Sequence, residues 1–130
     1  MNYAENKVEG EVVQKGWGYE RILRNGPEYC MKELHVVHGG RCSTHFHPEK
    51  VETFLLASGV VDLYLGHPGE HERIQLYPGG CVHIPAGTPH YFTAHRKSVI
   101  IEASTIHDDR DVVRLEPGDS QHDGPESEHS

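Results

Sequence analysis

Apolar and polar residues alternate in short runs along most of this chain, and glycine or proline separates one run from the next. Four clear runs are Val51–Leu56, Val60–Leu65, Cys81–Ile84 and Ser98–Thr105. Alternation with a period of two is the pattern of a β-strand that has one face in a core. With 14 glycines and 8 prolines available for turns, it predicts an all-β domain of about nine short strands. The first two runs flank Ala57-Ser58-Gly59, and we expect them to form a hairpin.

The two ends of the chain differ from its middle. Residues 1–15 are polar and are expected to form a flexible arm or an edge strand. Residues 16–115 contain the strand-like runs and form one predicted domain. Residues 116–130 include five acids, no Lys or Arg, and almost no apolar residue, which is the composition of a disordered acidic tail.

Charge and composition exclude several partners. The net charge is −8, and it is only −3 for the first 115 residues, because the five tail acids supply the rest. There is no basic stripe for nucleic acid, and no run approaches the ~18 apolar residues of a membrane span. The three cysteines are an odd number without CxxC spacing, and the first residues are polar rather than an apolar leader. We therefore expect a cytoplasmic protein.

The stretch Gly39–Gly59 contains the clearest chemistry. His45 and His47 are two residues apart on one predicted strand and therefore point to the same face. The strand that follows can bring Glu52 back to that face. Two imidazoles and a carboxylate that converge from adjacent strands suit a divalent metal ion.

A second stretch, Gly79–Phe92, adds a fourth candidate ligand. Its segment Pro85–Pro89 is turn sequence that delivers His90 at the start of another apolar strand. Three imidazoles and one carboxylate leave coordination positions open, as a catalytic metal requires. We expect one divalent ion per chain, which could be Mn, Fe, Co, Ni or Zn.

At these residues the chain resembles the cupin family. The spacings G-x5-H-x-H-x4-E-x6-G within Gly39–Gly59 and G-x5-P-x-G-x2-H within Gly79–His90 are similar to the two cupin motifs. Ala94 stands where the second motif often has Asn, which is not a metal ligand. The resemblance implies a single-domain double-stranded β-helix, that is, a jelly-roll barrel with the metal site inside. It also implies a homodimer that pairs through edge strands.

Charged residues are expected on the inner wall of this barrel. If Leu34 faces inward, Lys32 shares its face. Glu102 lies inside the last apolar run, where a carboxylate is seldom unpaired, and Lys32 is a candidate partner for it. Lys50 lies two residues before Glu52 and can share its face. Glu102, Lys32 and Lys50 are therefore the candidate catalytic residues.

Other residues are candidates for substrate contact. Arg41 lies on the predicted ligand face, where it could bind an anionic group or be a rim charge. Lys50 and Arg114 could also meet a phosphate, and Phe92 shares the face of the second-motif histidine. Trp17, between two glycines, either plugs the core or covers the site as a lid.

The flanking sequence resembles one branch of the cupins. Gly16–Glu20, Tyr29–Leu34 and Ile101–Arg114 are similar to parts of sugar-handling cupins, which include mannose-6-phosphate isomerases and D-lyxose isomerases. The resemblance implies a metal-dependent sugar or sugar-phosphate isomerase that interconverts aldose and ketose through an enediolate. A non-catalytic metal-containing cupin that binds sugars or nucleotide sugars is an alternative. An Fe-dependent dioxygenase is less favoured, because the inner-wall candidates are polar.

Overall fold

Eleven β-strands make up almost all of the regular structure in the computed structural model, which describes residues 2–119. The strands are β1 Glu11–Lys15, β2 Gly18–Asn25, β3 Cys30–Val36, β4 Thr44–Phe46, β5 Glu52–Ser58, β6 Val61–Leu65, β7 Glu72–Leu76, β8 Cys81–Ile84, β9 His90–Ala94, β10 Ser98–Ser104 and β11 Val113–Glu116. The helical structure in the described part of the chain is one short 3-10 turn, Ala4–Asn6. The all-β prediction is confirmed.

The strands form two sheets that face each other. Six strands form one sheet in the order β1-β2-β3-β10-β5-β8, and five form the other in the order β11-β4-β9-β6-β7. All of the pairings between the strands are antiparallel. Several neighbours in the sheets are distant in sequence, as in β3-β10-β5, because the chain passes repeatedly from one sheet to the other. This is the jelly-roll arrangement that was expected.

The predicted hairpin of β5 and β6 is wrong. β5 pairs with β10 and β8, whereas β6 pairs with β7 and β9 in the opposite sheet. The chain changes sheets at Gly59, whose φ of +94° is in the left-handed region, and a Cβ at this residue would overlap Ser98. Local alternation predicted both strands, but it carries no information about which strand each one pairs with.

The core lies between the two sheets and is closed at one side by Trp17. This side chain is 0% exposed, and its ring meets the ring of Phe92 edge-on with centroids 5.2 Å apart. Leu34, Leu63 and Ile100 are also 0% exposed. Trp17 is therefore a core residue and not a lid.

Strands near both ends of the described chain belong to the sheets. β1 is the edge strand of the six-stranded sheet, paired with β2. At the other end β11 pairs with β4, and Asp119 accepts a bond from the Arg41 amide at 2.7 Å and donates its own amide to the Arg41 carbonyl at 2.9 Å. β11, the edge strand of the five-stranded sheet, ends at Glu116, one residue beyond the expected boundary at residue 115. The rest of the predicted tail, 120–130, lies outside the described residues, as does Met1.

Within residues 2–119, no helix has the length and apolar character needed to cross a membrane.

Candidate metal centre and active site

Three histidines meet inside the barrel. His45 lies on β4 directly opposite His90, the first residue of β9, and His47 follows β4. Their ring centroids are 4.5 Å apart for His45 and His90, 5.1 Å for His45 and His47, and 5.9 Å for His47 and His90. One ligand atom of each lies within 4.8 Å of those of the other two. The structure thus brings together the three predicted histidines.

A backbone carbonyl orients each imidazole. Nδ1 lies 2.7 Å from the Ser43 carbonyl in His45, 2.9 Å from the Asp111 carbonyl in His47, and 2.9 Å from the Thr88 carbonyl in His90. A carbonyl can only accept, so each Nδ1 carries a hydrogen and donates it. Each Nε2 therefore keeps a lone pair for a metal ion, which is the usual second-shell arrangement of a metal-binding histidine. Burial lowers the pKa of His45 and of His47, which favours the neutral form that a metal needs.

Glu52 completes the donor set from the opposite sheet. Its Oε2 lies 3.1 Å from Nε2 of His90 and 3.4 Å from Nε2 of His47. Burial and Glu102 raise the pKa of Glu52, but His90 and Lys50 outweigh them and lower it to about 2. Neither carboxylate oxygen has a hydrogen-bond donor among the described residues, although both are buried.

This combination of donors fits a divalent cation. A buried, ionised carboxylate without a donor is costly, and a nearby positive charge removes that cost. Burial lowers the pKa of His90, but Glu52 outweighs burial and the net shift is upward. A positive charge is therefore favoured between these two side chains, either as a proton or as a metal ion. His45, His47, His90 and Glu52 would hold the ion.

A buried ion pair lies beside the four candidate ligands. Lys50 Nζ is 3.0 Å from Oε2 of Glu102 and 3.7 Å from Oε1 of Glu52, and both Lys50 and Glu102 are almost fully buried. Burial raises the pKa of Glu102, but Lys50 and Lys32 outweigh it and lower the value to about 2. Burial lowers the pKa of Lys50, yet Glu102 and Glu52 produce a net rise. Both partners are charged at neutral pH.

The two oxygens of Glu102 have different surroundings. Oε2 accepts hydrogen bonds from Lys50 and from Ser104, the latter at 3.0 Å. Oε1 is buried and has no hydrogen-bond donor among the described residues. The carboxylate is thus held by one oxygen while the other is available to accept a proton or a hydroxyl hydrogen.

Lys32 faces inward as expected, but its ion pair is with a different carboxylate. It lies opposite Glu102 in the β3–β10 register, and its Nζ is 3.5 Å from Oε1 of Glu20 on β2. Glu20 Oε2 lies 3.9 Å from Nζ of Lys15 on β1. Lys50 supplies a close contact to Glu102, while Lys32 lies opposite Glu102 in the sheet and helps to lower its pKa.

A cavity of about 770 Å³ opens beside this charged interior. Its wall includes Lys15, Glu20 and Lys32, and its mouth includes Glu11, Asp108, Asp109 and Arg110. His107 also lines it, and Nδ1 of His107 lies 3.1 Å from Lys50 Nζ while its ring centroid is 5.9 Å from that of His47. His107 is therefore a lining residue of the cavity that also lies beside Lys50 and His47.

Three predicted substrate contacts lie elsewhere. Arg41 faces outward, with its guanidinium 4.5 Å from the ring of Tyr91, because the regular β4 pairing starts only at Thr44 and the predicted alternation fails before it. Arg114 is exposed on β11. Phe92 does face inward, but it is 1% exposed and packs on Trp17 in the core. None of these three side chains lines the cavity.

The sequence reading missed Lys15, Glu20 and His107. Glu20 alternates with Ile22 and shares its inward face, which is the same signal that placed Lys32 beside Leu34. Lys15 lies at the end of the segment that was expected to be a flexible arm or an edge strand. His107 follows the last strong strand, where no periodic pattern indicates direction.

The fold and the four converging side chains define a cupin barrel. A family model described as a cupin domain matches residues 32–104, and the chain belongs to the cupin family. A curated relative, the D-lyxose ketol-isomerase of Cohnella laeviribosi, is 32% identical over 114 residues, an alignment that includes 68% of this chain. The chain spans 62% of the length of that relative.

Solved structures support the same fold. KdgF from Halomonas sp. superposes with a TM-score of 0.63 at 20% identity, covering 71% of this chain and 81% of that protein. The nucleoside dehydratase Pac13 of Streptomyces superposes with a TM-score of 0.70 at 14% identity, covering 84% and 87%. At such identities the likeness shows the fold alone.

Proposed function

We propose that this protein is a metal-dependent isomerase that interconverts an aldose and the corresponding ketose, as a free sugar or a sugar phosphate. The observation that carries the proposal is Glu102, an ionised and fully buried carboxylate whose Oε1 lacks a donor beside the candidate metal ligands. The relative that is a D-lyxose ketol-isomerase supports the same reaction class, and D-lyxose is the first substrate to test.

The buried charges are balanced before any ligand binds. Lys15, Lys32 and Lys50 face Glu20, Glu52 and Glu102 within the barrel, and each is 5% exposed or less. A divalent ion at the four ligands would act as a Lewis acid on the substrate carbonyl and would add positive charge to this neutral set. An anionic sugar oxygen is then the species that the interior stabilises best.

Glu102 and Lys50 divide the proton chemistry in this proposal. Oε1 of Glu102 removes the proton from the carbon beside the carbonyl. The electron pair of that C–H bond forms the C=C bond, while the π pair of the carbonyl moves to its oxygen, which takes a proton from the ammonium of Lys50. In the second half Glu102 returns its proton to the former carbonyl carbon, the neutral amine of Lys50 takes the proton of the neighbouring hydroxyl, and that oxygen becomes the new carbonyl without an external oxidant. Lys32 lies in the cavity wall beside this pair and orients substrate hydroxyls.

The test uses exchange with solvent deuterium. Protein loaded in turn with Mn²⁺, Co²⁺, Ni²⁺ and Zn²⁺ is incubated in D₂O with D-lyxose, other aldoses and ketoses, and their phosphates, and proton NMR follows the carbon beside the carbonyl. We expect exchange and interconversion within one sugar family. Glu102→Gln should retain the metal and lose turnover by about 10²-fold or more. Glu33→Gln, the same change on the outer face of β3, is the control.

One observation favours a second candidate function. The four ligands are each 1–2% exposed, and none of them lines the cavity, as expected of a metal that only stiffens a sugar-binding cupin. Sugar binding without exchange in any metal form would support this candidate and contradict the isomerase. Wild-type turnover in Glu102→Gln would remove Glu102 from the mechanism.

A further inference from the structure

The cavity contains a second group of buried charges, distinct from the candidate metal ligands. It consists of Lys15 on β1, Glu20 on β2 and Lys32 on β3, which we call the Glu20 cluster. Glu20 is 2% exposed, with Oε1 3.5 Å from Lys32 Nζ and Oε2 3.9 Å from Lys15 Nζ. The proton transfer proposed for Glu102 gives Glu20 and Lys15 no role.

One oxygen of the Glu20 carboxylate, Oε2, lacks a hydrogen-bond partner among the described residues, whereas Oε1 accepts from Lys32. Its Oε2 is fully buried in a residue that lines the cavity, and no described residue donates a hydrogen bond to it. Buried polar atoms are nearly always paired, and an unpaired one in a cavity wall indicates a group that arrives from outside the chain. Burial raises the pKa of Glu20 although Lys32 and Lys15 oppose the shift, and for the carboxylate form the missing partner is a hydrogen-bond donor.

The ammonium groups of Lys15 and Lys32 restrict the chemical class of this missing partner. Lys15 and Lys32 carry hydrogen-bond donors and Glu20 carries an acceptor, so the cluster presents both kinds of group together. A hydroxyl group donates one hydrogen and accepts others, and it matches both kinds of partner at once. We propose that the Glu20 cluster binds the hydroxyl groups at the end of a sugar remote from the metal centre.

The arrangement of the strands gives this subsite a suitable distance from the reacting atoms. β10, which carries Glu102, is next to β3, which is next to β2. Two strand spacings amount to roughly 10 Å, which accommodates a short carbon chain held by hydrogen bonds at both ends. The inference rests on the proposed function in one respect: the isomerase proposal determines which end of the sugar lies at the metal centre and which end reaches the Glu20 cluster.

The negative charge at the mouth of the cavity argues against a phosphate on the end of the sugar that would contact the Glu20 cluster. Glu11, Asp108 and Asp109 line the mouth, and the single arginine there, Arg110, is already paired with Asp108 at 2.9 Å. Glu20 itself would repel an anion. The remote end is therefore a neutral hydroxyl rather than a phosphate ester.

The test compares three probes on Zn²⁺-loaded protein by NMR titration. They are D-lyxose, its 5-deoxy analogue and its 5-phosphate, and the variants are Glu20→Gln and the control Glu33→Gln. Loss of a hydrogen bond to a charged group should weaken D-lyxose binding about tenfold to a hundredfold. The 5-deoxy analogue should bind wild type and Glu20→Gln alike. A subsite for phosphate would respond in the opposite direction, because removal of the negative charge would strengthen phosphate binding.

Failure to fold is controlled with a charge-neutral variant. Lys15→Met/Glu20→Gln removes one charge of each sign and should lose the same preference for D-lyxose over the 5-deoxy analogue. Equal preference in wild type and in either variant, stronger phosphate binding in Glu20→Gln, or no binding of D-lyxose by wild type would each overturn the inference. The isomerase proposal fails separately, by an absence of deuterium exchange while Glu20-dependent binding persists.

Discussion

The buried ammonium of Lys50 allows a stringent test of the charged interior. Lys50→Met keeps most of the side-chain volume and removes the charge. Nζ lies 3.0 Å from Oε2 of Glu102, 3.7 Å from Oε1 of Glu52 and 3.1 Å from Nδ1 of His107, in a side chain that is 1% exposed. In its absence two buried carboxylates would face each other without their shared cation.

The expected loss is large for a domain of this size. Removal of one partner of a buried ion pair costs about 3–5 kcal/mol, because the other charge stays buried without compensation. Total unfolding free energies are only about 5–15 kcal/mol, so metal-free Lys50→Met should lose a substantial fraction of its stability. Lys50→Met/Glu102→Gln removes both charges, and we expect it to recover at least about 2 kcal/mol of that loss.

The assay is urea unfolding of metal-free protein at pH 7. Trp17 is the sole tryptophan and is 0% exposed, so its fluorescence reports directly on the core. Lys97→Met, at an exposed lysine, is the matched control and should stay within about 0.5 kcal/mol of wild type. If Lys50→Met also stays within about 1 kcal/mol of wild type, the reasoning about an uncompensated pair of carboxylates is refuted.

Two further predictions concern acid and a turn. The folded pKa of Glu102 is about 2 against an ordinary 4.5, so its contribution to stability is present above pH 4.5 and is lost as the pH falls towards 2. Urea midpoints measured from pH 6 to pH 2.5 should therefore fall less in Lys50→Met/Glu102→Gln than in wild type, and parallel curves would contradict the assignment. Gly59→Ala should lower the unfolding free energy by about 2 kcal/mol or more, since it combines a left-handed φ with overlap. Thermal unfolding measures that loss, and an unchanged midpoint would show that the turn relaxes freely.

Residues in regular alternation could be placed from the sequence. His45 and His47 share a face because they are two apart, and the same period placed Lys32, Glu102 and Phe92 on inner walls. Motif spacing added His90 and Glu52, which lie far apart along the chain. The four proposed ligands therefore needed no knowledge of the strand pairing.

The sequence could not predict which strands pair with each other, or where side chains point in segments of irregular backbone. Nζ of Lys50 lies 3.0 Å from Oε2 of Glu102, but Lys50 precedes β5, so strand periodicity could not predict that contact. Arg41 precedes the regular part of β4, so its direction could not be obtained by counting back from His45. Lys15 belongs to β1, and the polar composition of that segment gave no alternating pattern that would predict an inward side chain.

The attachment of β11 has a consequence for the order of events during synthesis. The strand that carries His45 is bordered by β11, and the Asp111 carbonyl orients His47. β11 and Asp111 both lie near the carboxyl-terminal end of the described chain. Since a ribosome releases earlier residues first, the histidine strand emerges long before the strand that covers its edge. The proposed metal site is therefore completed only late in synthesis, when β11 has reached the edge of β4.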